Sequence, residues 1–286
     1  MNKIMLKREL APKIKLLEVE NPGIAAKARP GQFVILCLGG EGERFPLTIA
    51  GADTSKGTIR LVFNEVGKSS SKLGTLQEGE EIPSLAGPLG NATEIEKFGT
   101  VLCFGGGVMA GPLLYVAEAF RQAGNRVILV LGARNKELLF FRDEAKAVSD
   151  ELYICTDDGS EGYQGLDFLK ELLEKEKVDR VYVMSVATAT LKAVSELTRT
   201  YGIKTIVSLT PIMLDGTGMC GACRVVVGGA TRFACVDGPE FDGHEVDWEL
   251  LESRKRMYAP EERISFLSYK RLGEKFVPVG GEERRR

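Results

Sequence analysis

Thr100-Val101-Leu102-Cys103-Phe104-Gly105-Gly106-Gly107-Val108-Met109-Ala110-Gly111-Pro112 is the stretch on which the fold turns. A compact apolar run ends in three glycines, and a proline follows five residues later. That order reads as a buried strand, a tight turn and the first turn of a helix, where proline is tolerated. Downstream the alternation continues. Strands are expected at 126–131, 151–156, 180–185 and 203–209, with helices at 112–123, 135–149, 165–177 and 187–201. Strands alternating with helices of this length predict a parallel sheet covered on both faces.

Upstream of residue 97 the pattern is different. Short β-like runs at 14–19, 33–38, 45–50 and 58–63 are separated by turn signals such as Asn21-Pro22-Gly23 and Gly51-Ala52-Asp53. Regular short strands of this kind predict a small antiparallel barrel or sandwich, and a barrel is the expectation adopted. The expected class is therefore β + α/β, with an antiparallel β-barrel at 1–97 and an α/β nucleotide-binding domain at 98–210. A small cluster-loop module at 211–250 and a basic extension at 251–286 complete the division.

Composition removes several chemistries. The chain has 286 residues, 44% of them hydrophobic and 27% charged, which excludes disorder, collagen and coiled coil. A single histidine, His244, cannot build a zinc-protease HExxH site or a bis-histidine haem. No residue presents itself as a general acid or base, so any difficult chemistry falls to cofactors. The charge-bearing N-terminus shows no signal peptide. The uncharged run 101–117 is interrupted by Gly105-Gly106-Gly107 and Gly111-Pro112, so it reads as strand, turn and helix rather than a membrane span. A soluble cytoplasmic protein is expected, with no membrane or nucleic-acid partner. Residues 251–286 carry ten Lys and Arg against six Glu, which suits either a solvated tail or a docking arm for a partner.

Cys37, Cys103 and Cys155 sit singly in strand-like runs, where cysteine behaves as a small buried apolar residue. The other three are grouped. Cys220 and Cys223 form C-x2-C, and Cys235 follows. Zinc, a redox dithiol and an iron-sulfur cluster all use such a pair. Plant-type [2Fe-2S] sites use C-x4-C-x2-C plus a distant cysteine. Here Asp215 stands where the first cysteine would be, and a carboxylate is a suitable hard donor to ferric iron. Asp215, Cys220, Cys223 and Cys235 are thus the candidate cluster ligands. Gly216, Gly218 and Gly221 allow the backbone to approach the sulfides. A three-cysteine zinc knuckle is the rival reading.

With these residues in view, the chain resembles the flavin and iron-sulfur subunits related to ferredoxin reductases, which include electron-transfer subunits of NAD-dependent dihydroorotate dehydrogenases. The segment Pro211-Ile212-Met213-Leu214-Asp215-Gly216-Thr217-Gly218-Met219-Cys220-Gly221 is similar to one branch of that family. This branch comprises the small subunits of NADH-dependent reduced ferredoxin:NADP+ oxidoreductases, also described as sulfide dehydrogenase subunits, and Asp in place of the first cysteine marks it.

The resemblance implies three cofactors: FAD, a [2Fe-2S] cluster and NAD(H). FAD would be held by Phe45, Pro46, Leu47 and Thr48, with Thr48 near the flavin N5. Arg44 lies one place earlier than the family's arginine and could reach a flavin phosphate. Val62, Phe63 and Asn64 form a second match, and the turn Gly67, Lys68, Ser69, Ser70 suits a pyrophosphate. The dinucleotide would be held by Gly105, Gly106, Gly107, Val108 and Met109, with Arg134, Asp157, Asp158 and Gly159 at the ends of the next strands. Arg134 would favour a 2′-phosphate by ordinary dinucleotide-fold logic, but the nearest branch is NAD(H)-linked, and NAD(H) is the expectation. The segment Met184-Ser185-Val186-Ala187 departs from the family motif and receives no role.

The implied activity is electron transfer between NAD(H), FAD and the cluster, to a larger flavin and [4Fe-4S] oxidoreductase subunit. In the resembled complex NADPH oxidation drives ferredoxin and NAD+ reduction by electron bifurcation, so ferredoxin is a partner through the complex. The alternatives are an electron-transfer subunit of dihydroorotate dehydrogenase or of sulfide dehydrogenase. Outside the enzymes, the alternative is a nucleotide- and zinc-binding regulatory subunit.

Overall fold

The computed structural model describes residues 2–39 and 43–271. Six antiparallel strands make the first sheet: β1 (Lys3–Ala11), β2 (Ile14–Glu20), β3 (Phe33–Cys37), β4 (Arg44–Asp53), β5 (Thr58–Asn64) and β6 (Ser84–Leu89). Their order is β1-β2-β5-β4-β3-β6. The segment leading into β6 turns back onto β1, where Ile4 N donates to Glu80 O at 2.9 Å and Ile82 N to Asn2 O at 2.9 Å. Those bonds close the sheet into a barrel and remove its open edges. Ile4, Leu17, Val34, Leu36, Ile49, Leu61 and Phe63 fill the interior. Helix α1 (Pro22–Ala25) is capped by the Asn21 side chain, and α2 (Lys68–Thr75) lies on the barrel beside β5.

β1 escaped the sequence reading because Lys3, Lys7, Arg8 and Glu9 obscure its alternation. Lys3, Arg8 and Glu9 face water, while Lys7 Nζ donates to Gly74 O and Leu76 O at 2.7 Å each.

The second sheet has the order β10-β9-β8-β7-β11-β12-β15. Its parallel strands are β7 (Thr100–Gly106), β8 (Arg126–Ala133), β9 (Glu151–Thr156), β10 (Tyr163–Gln164), β11 (Arg180–Met184) and β12 (Thr205–Ser208). Helices α3 (Ala110–Gln122), α4 (Arg142–Val148), α5 (Phe168–Lys175) and α6 (Thr188–Thr200) connect them. The helix expected at 135–149 is broken. Asn135 caps a single 3-10 turn, and Phe141 then takes φ 61°, so α4 starts only at Arg142.

The stretch expected as a small module, 211–250, is joined to the parallel sheet by a strand of its own. After the hairpin β13 (Arg224–Val227) and β14 (Ala230–Phe233), strand β15 (Glu240–Asp242) pairs antiparallel with β12. It gives the outer backbone groups of β12 partners that they would otherwise lack. Helix α7 (Trp248–Lys255) crosses the expected boundary at 250 and packs on α6 and β13. Helix α8 (Ala259–Arg271) lies against α2. The last part of the expected basic extension, 272–286, falls outside the described residues.

One core group joins the three parts. Phe33 and Ile35 of the barrel, Val183 and Val207 of the parallel sheet, and Met213, Cys223, Val225 and Cys235 of the loop are buried together. A shared core of this kind fixes the loop on the barrel and sheet through apolar burial.

Candidate electron-transfer site

The strand order reverses at β7: β8 and β9 lie on one side, β11 and β12 on the other. Ligands of open parallel sheets bind outside the carboxyl ends of the strands at such a reversal. The three glycines sit there with different duties. A β-carbon on Gly105 would come 2.5 Å from Met184 O, and one on Gly106 would come 1.8 Å from Gly132 O. These two are required for strand packing. Gly107 has φ +55° and open space around its missing side chain, so an anion can approach the backbone there. A 3-10 turn at Gly107–Met109 leads into α3. Ala110 N already donates to Gly107 O and Pro112 has no N–H, so the N–H groups on offer to an anion are those of the 3-10 turn, backed by the positive end of the helix dipole. Val108 is half-buried and Met109 buried.

Arg134 is exposed after β8, and Asp157, Asp158 and Gly159 are exposed after β9. Asp157 N donates to Ala133 O at 3.0 Å and Asp158 N to Arg134 O at 3.3 Å, so the two strand ends form one ledge. The Ser160 hydroxyl and N–H hold the Asp158 carboxyl below the usual carboxylate range. The turn after β11, with Ser185 half-buried and Val186 exposed, follows Met184 and so lies beside Gly105 at the reversal. The sequence reading left it without a role; its position after the fourth long parallel strand was the available signal. Lys255 of α7 closes over it, donating to Val186 O at 2.8 Å and Thr188 Oγ1 at 3.1 Å.

Phe45, Pro46, Leu47 and Thr48 line up half-buried along β4. Thr48 Oγ1 lies 4.0 Å from Met109 Sδ, so the β4 motif and the glycine turn meet. Helix α3 packs on the same strand, and Gly111 is required there because a β-carbon would press on Ala50 and Val62 at 2.9 Å. The side chains of Val62 and Phe63 point into packed interior. Val62 packs beneath α3 and Phe63 fills the barrel interior, so burial occupies both side chains, and of that motif only Asn64 stays partly open.

The expected turn at Gly67, Lys68, Ser69 and Ser70 is the start of α2. Ser70 Oγ accepts from Gly67 N at 3.0 Å and Val66 N at 3.1 Å, and the Ser69 hydroxyl donates to Glu43. Both hydroxyls are thus engaged within the protein. What this segment offers a phosphate is the N–H groups of the first helical turn.

In the loop, Cys223 Sγ and Cys235 Sγ are 3.2 Å apart and buried, while Cys220 is exposed. As they stand, no three metal-ligating side chains among the described residues converge tightly enough to hold a single ion. The backbone fits a cluster with inorganic sulfide better than a bare metal ion. N–H groups of Ala222, Asp215 and Leu214 face the Cys220 sulfur and lower its pKa, and the Gly218 N–H faces Cys235. Burial, with Cys223 alongside, pushes the Cys235 thiol up to about 12.

Asp215 Oδ2 accepts from Thr217 N at 2.9 Å, from the Thr217 hydroxyl and from Met219 N at 3.3 Å. These bonds hold its carboxyl ionised. Gly216 has φ +84°, and a β-carbon there would strike Leu89 and Ile35, so the loop rests directly on the barrel. Arg44 is exposed and turned toward the cluster loop: its Nε donates to Leu214 O at 2.8 Å and its Nη2 to Asp215 O at 3.3 Å. A second arginine, Arg254 of α7, donates to Ala222 O at 3.0 Å, and its Nε is buried without a partner among the described residues. An orphaned cationic N–H beside the loop suits a site that gathers negative charge.

A family profile described as the iron-sulfur cluster binding domain of dihydroorotate dehydrogenase B matches residues 210–247. The match spans Asp215 and all three grouped cysteines. The chain is 43% identical over 284 residues to a Thermotoga maritima protein described as a dihydroorotate dehydrogenase B (NAD(+)), electron transfer subunit homolog. That alignment covers 99% of this chain and 98% of the other. The chain belongs to the dihydroorotate dehydrogenase B electron-transfer subunit family.

This electron-transfer subunit homologue is also 42% identical to a chain in the solved structure of NADH-dependent reduced ferredoxin-NADP oxidoreductase, work concerned with flavin-based electron bifurcation. The superposition covers 94% of this chain and 97% of that one at a TM-score of 0.88. A ferredoxin NADP+ reductase from Neisseria gonorrhoeae shares the fold at 17% identity and a TM-score of 0.55, covering 70% of this chain and 90% of that one. The expected β + α/β architecture is thus the ferredoxin-reductase one, followed by an iron-sulfur binding segment. Among the described residues no helix is long and apolar enough to cross a membrane.

Proposed function

We propose that this chain is the NAD(H)-facing electron-transfer subunit of a bifurcating NADH-dependent ferredoxin:NADP+ oxidoreductase. One observation carries the reading: β4 touches both neighbours that an electron must use. Thr48 faces Met109 of the dinucleotide turn, while Arg44, four residues earlier, holds the backbone of the cluster loop. When bound, FAD accepts a hydride as an electron pair, and a [2Fe-2S] cluster carries electrons singly.

The residues then have definite duties. Gly107 and the 3-10 turn that leads into α3 would hold the dinucleotide phosphates, and Arg134 with Asp157, Asp158 and Gly159 would border its ribose end. The β4 motif and the first turn of α2 hold FAD. Thr48 presents a hydroxyl where the two rings would meet, so the protein contributes orientation and water exclusion rather than proton transfer. Asp215, Cys220, Cys223 and Cys235 hold the cluster, with loop N–H groups directed at sulfur.

The 42% identity over nearly the whole of both chains supports the ferredoxin:NADP+ assignment, together with Asp215 in the first ligand position. The names of relatives favour a second reading, in which the same cofactors serve a dihydroorotate dehydrogenase subunit. Isolation of the native complex, with mass spectrometry of the co-purifying chain, separates them. A larger flavin and [4Fe-4S] partner, with NADPH-driven ferredoxin reduction that requires NAD+, supports the proposal. A dihydroorotate-oxidising partner replaces it with the second reading. Zinc without labile sulfide would return the chain to the regulatory alternative.

A further inference from the structure

Two arginines from distant parts of the sequence grip the cluster loop by its backbone carbonyls. Arg44 on β4 donates to Leu214 O and Asp215 O, at the first candidate ligand. Arg254 on α7 donates to Ala222 O, between Cys220 and Cys223. Hydrogen bonding of the loop alone does not explain Arg254. Leu251 is the buried anchor of α7 and Lys255 ties the helix to the β11–α6 turn, so the helix is held without it. Yet the side chain is half-buried with its Nε unpartnered among the described residues, an arrangement that costs stability unless a charge nearby compensates.

We propose that Arg44 and Arg254 form a cationic clamp that sets the reduction potential of the cluster, an inference resting on the [2Fe-2S] reading above. The four candidate ligands are all anionic when bound, and reduction adds one more negative charge to the loop. Two fixed positive charges on the carbonyls next to those ligands favour that added electron, more strongly where burial keeps water from screening them. Arginine suits the task because its charge is permanent, and at Arg44 the fork also spans two carbonyls. Arg44 also stands on β4, four residues before Thr48 on the same strand. Both arginines are positioning residues, because they act through the loop backbone rather than as ligands.

The test uses the full chain in complex with its partner, isolated anaerobically. Iron and labile sulfide are measured for the wild type and for Arg44→Gln, Arg254→Gln and Arg254→Lys, followed by a redox titration monitored by EPR. Each Gln variant is expected to keep its cluster while its midpoint moves negative. The expected size is about tenfold in the oxidised-to-reduced ratio, or about 59 mV for a one-electron couple. Arg254→Lys, which keeps the charge and loses the fork, is expected to stay near the wild-type midpoint. Cluster-loaded Gln variants with an unchanged midpoint overturn the clamp and leave the function reading standing. If the Gln variants lose their cluster, the Lys variant decides: a midpoint shifted by tenfold or more, or cluster loss there too, overturns charge as the cause. A wild-type chain with zinc and no sulfide overturns the function reading itself.

Discussion

Thr93 Oγ1 donates to Glu240 Oε1 at 2.7 Å, joining the end of the barrel to the strand that edges the parallel sheet. Burial pushes the Glu240 carboxyl up from 4.5 to about 7, against the opposing pull of that hydrogen bond. Between those values the folded chain keeps a proton that the unfolded chain releases, so stability falls as pH rises through the window. Below it, both states are protonated and nothing is lost. Glu240→Gln keeps the acceptor for Thr93 and removes the charge. Thermal unfolding from pH 4 to 8 should show a variant that is more stable at pH 8 by on the order of 2 kcal/mol and less dependent on pH. Equal slopes for both proteins would refute this account.

The glycines of the turn separate folding from binding. Gly106→Ala places a β-carbon 1.8 Å from Gly132 O on the next strand, so the variant should fail to accumulate as folded protein. Gly107→Ala meets no atom within 4 Å and strains only its φ of +55°, at about 1–2 kcal/mol. It should fold, retain FAD and raise the KM for NADH at least tenfold. An unchanged KM would remove the phosphate from Gly107.

Asp215→Ala removes a candidate ligand and also the acceptor for two loop N–H groups. Expected outcomes are a lower iron content and an altered EPR line shape in whatever cluster remains. Wild-type content together with a wild-type line shape would leave Asp215 as a turn residue only.

Thr48→Val preserves shape and deletes the hydroxyl that faces Met109. In rapid-mixing measurements the reduction of bound flavin by NADH should slow about tenfold with little change in dinucleotide affinity, the pattern of a contact that acts on the reaction rather than on binding. A change confined to affinity would place Thr48 elsewhere.

The legible parts of this fold are those encoded locally. The runs at Thr100–Gly106, Arg126–Ala133 and Glu151–Thr156 are apolar on both faces because the sheet is covered on both faces. The glycine turn announces itself through packing that no other residue allows. By contrast, β15 has three residues and no periodicity of its own, and it exists because β12 presents an edge. Phe63 shows the converse: its motif is recognisable in the sequence, whereas the burial of its side chain inside the barrel is set by strand alternation. Arg254 meets Ala222 across 32 positions and Arg44 meets Asp215 across 171, distances at which no spacing rule operates.

The chain leaves the parallel sheet at Ser208 and re-enters at Glu240, and those two residues are register partners on adjacent strands. Everything between them therefore departs from and returns to points about one strand spacing apart, ~5 Å. The two ends fix only where the cluster loop begins and finishes. How the loop sits on the barrel is decided by its apolar side chains, with Met213, Cys223 and Cys235 buried against Phe33 and Ile35, so the loop is anchored twice: at its ends by β12 and β15, and at its middle by the shared core.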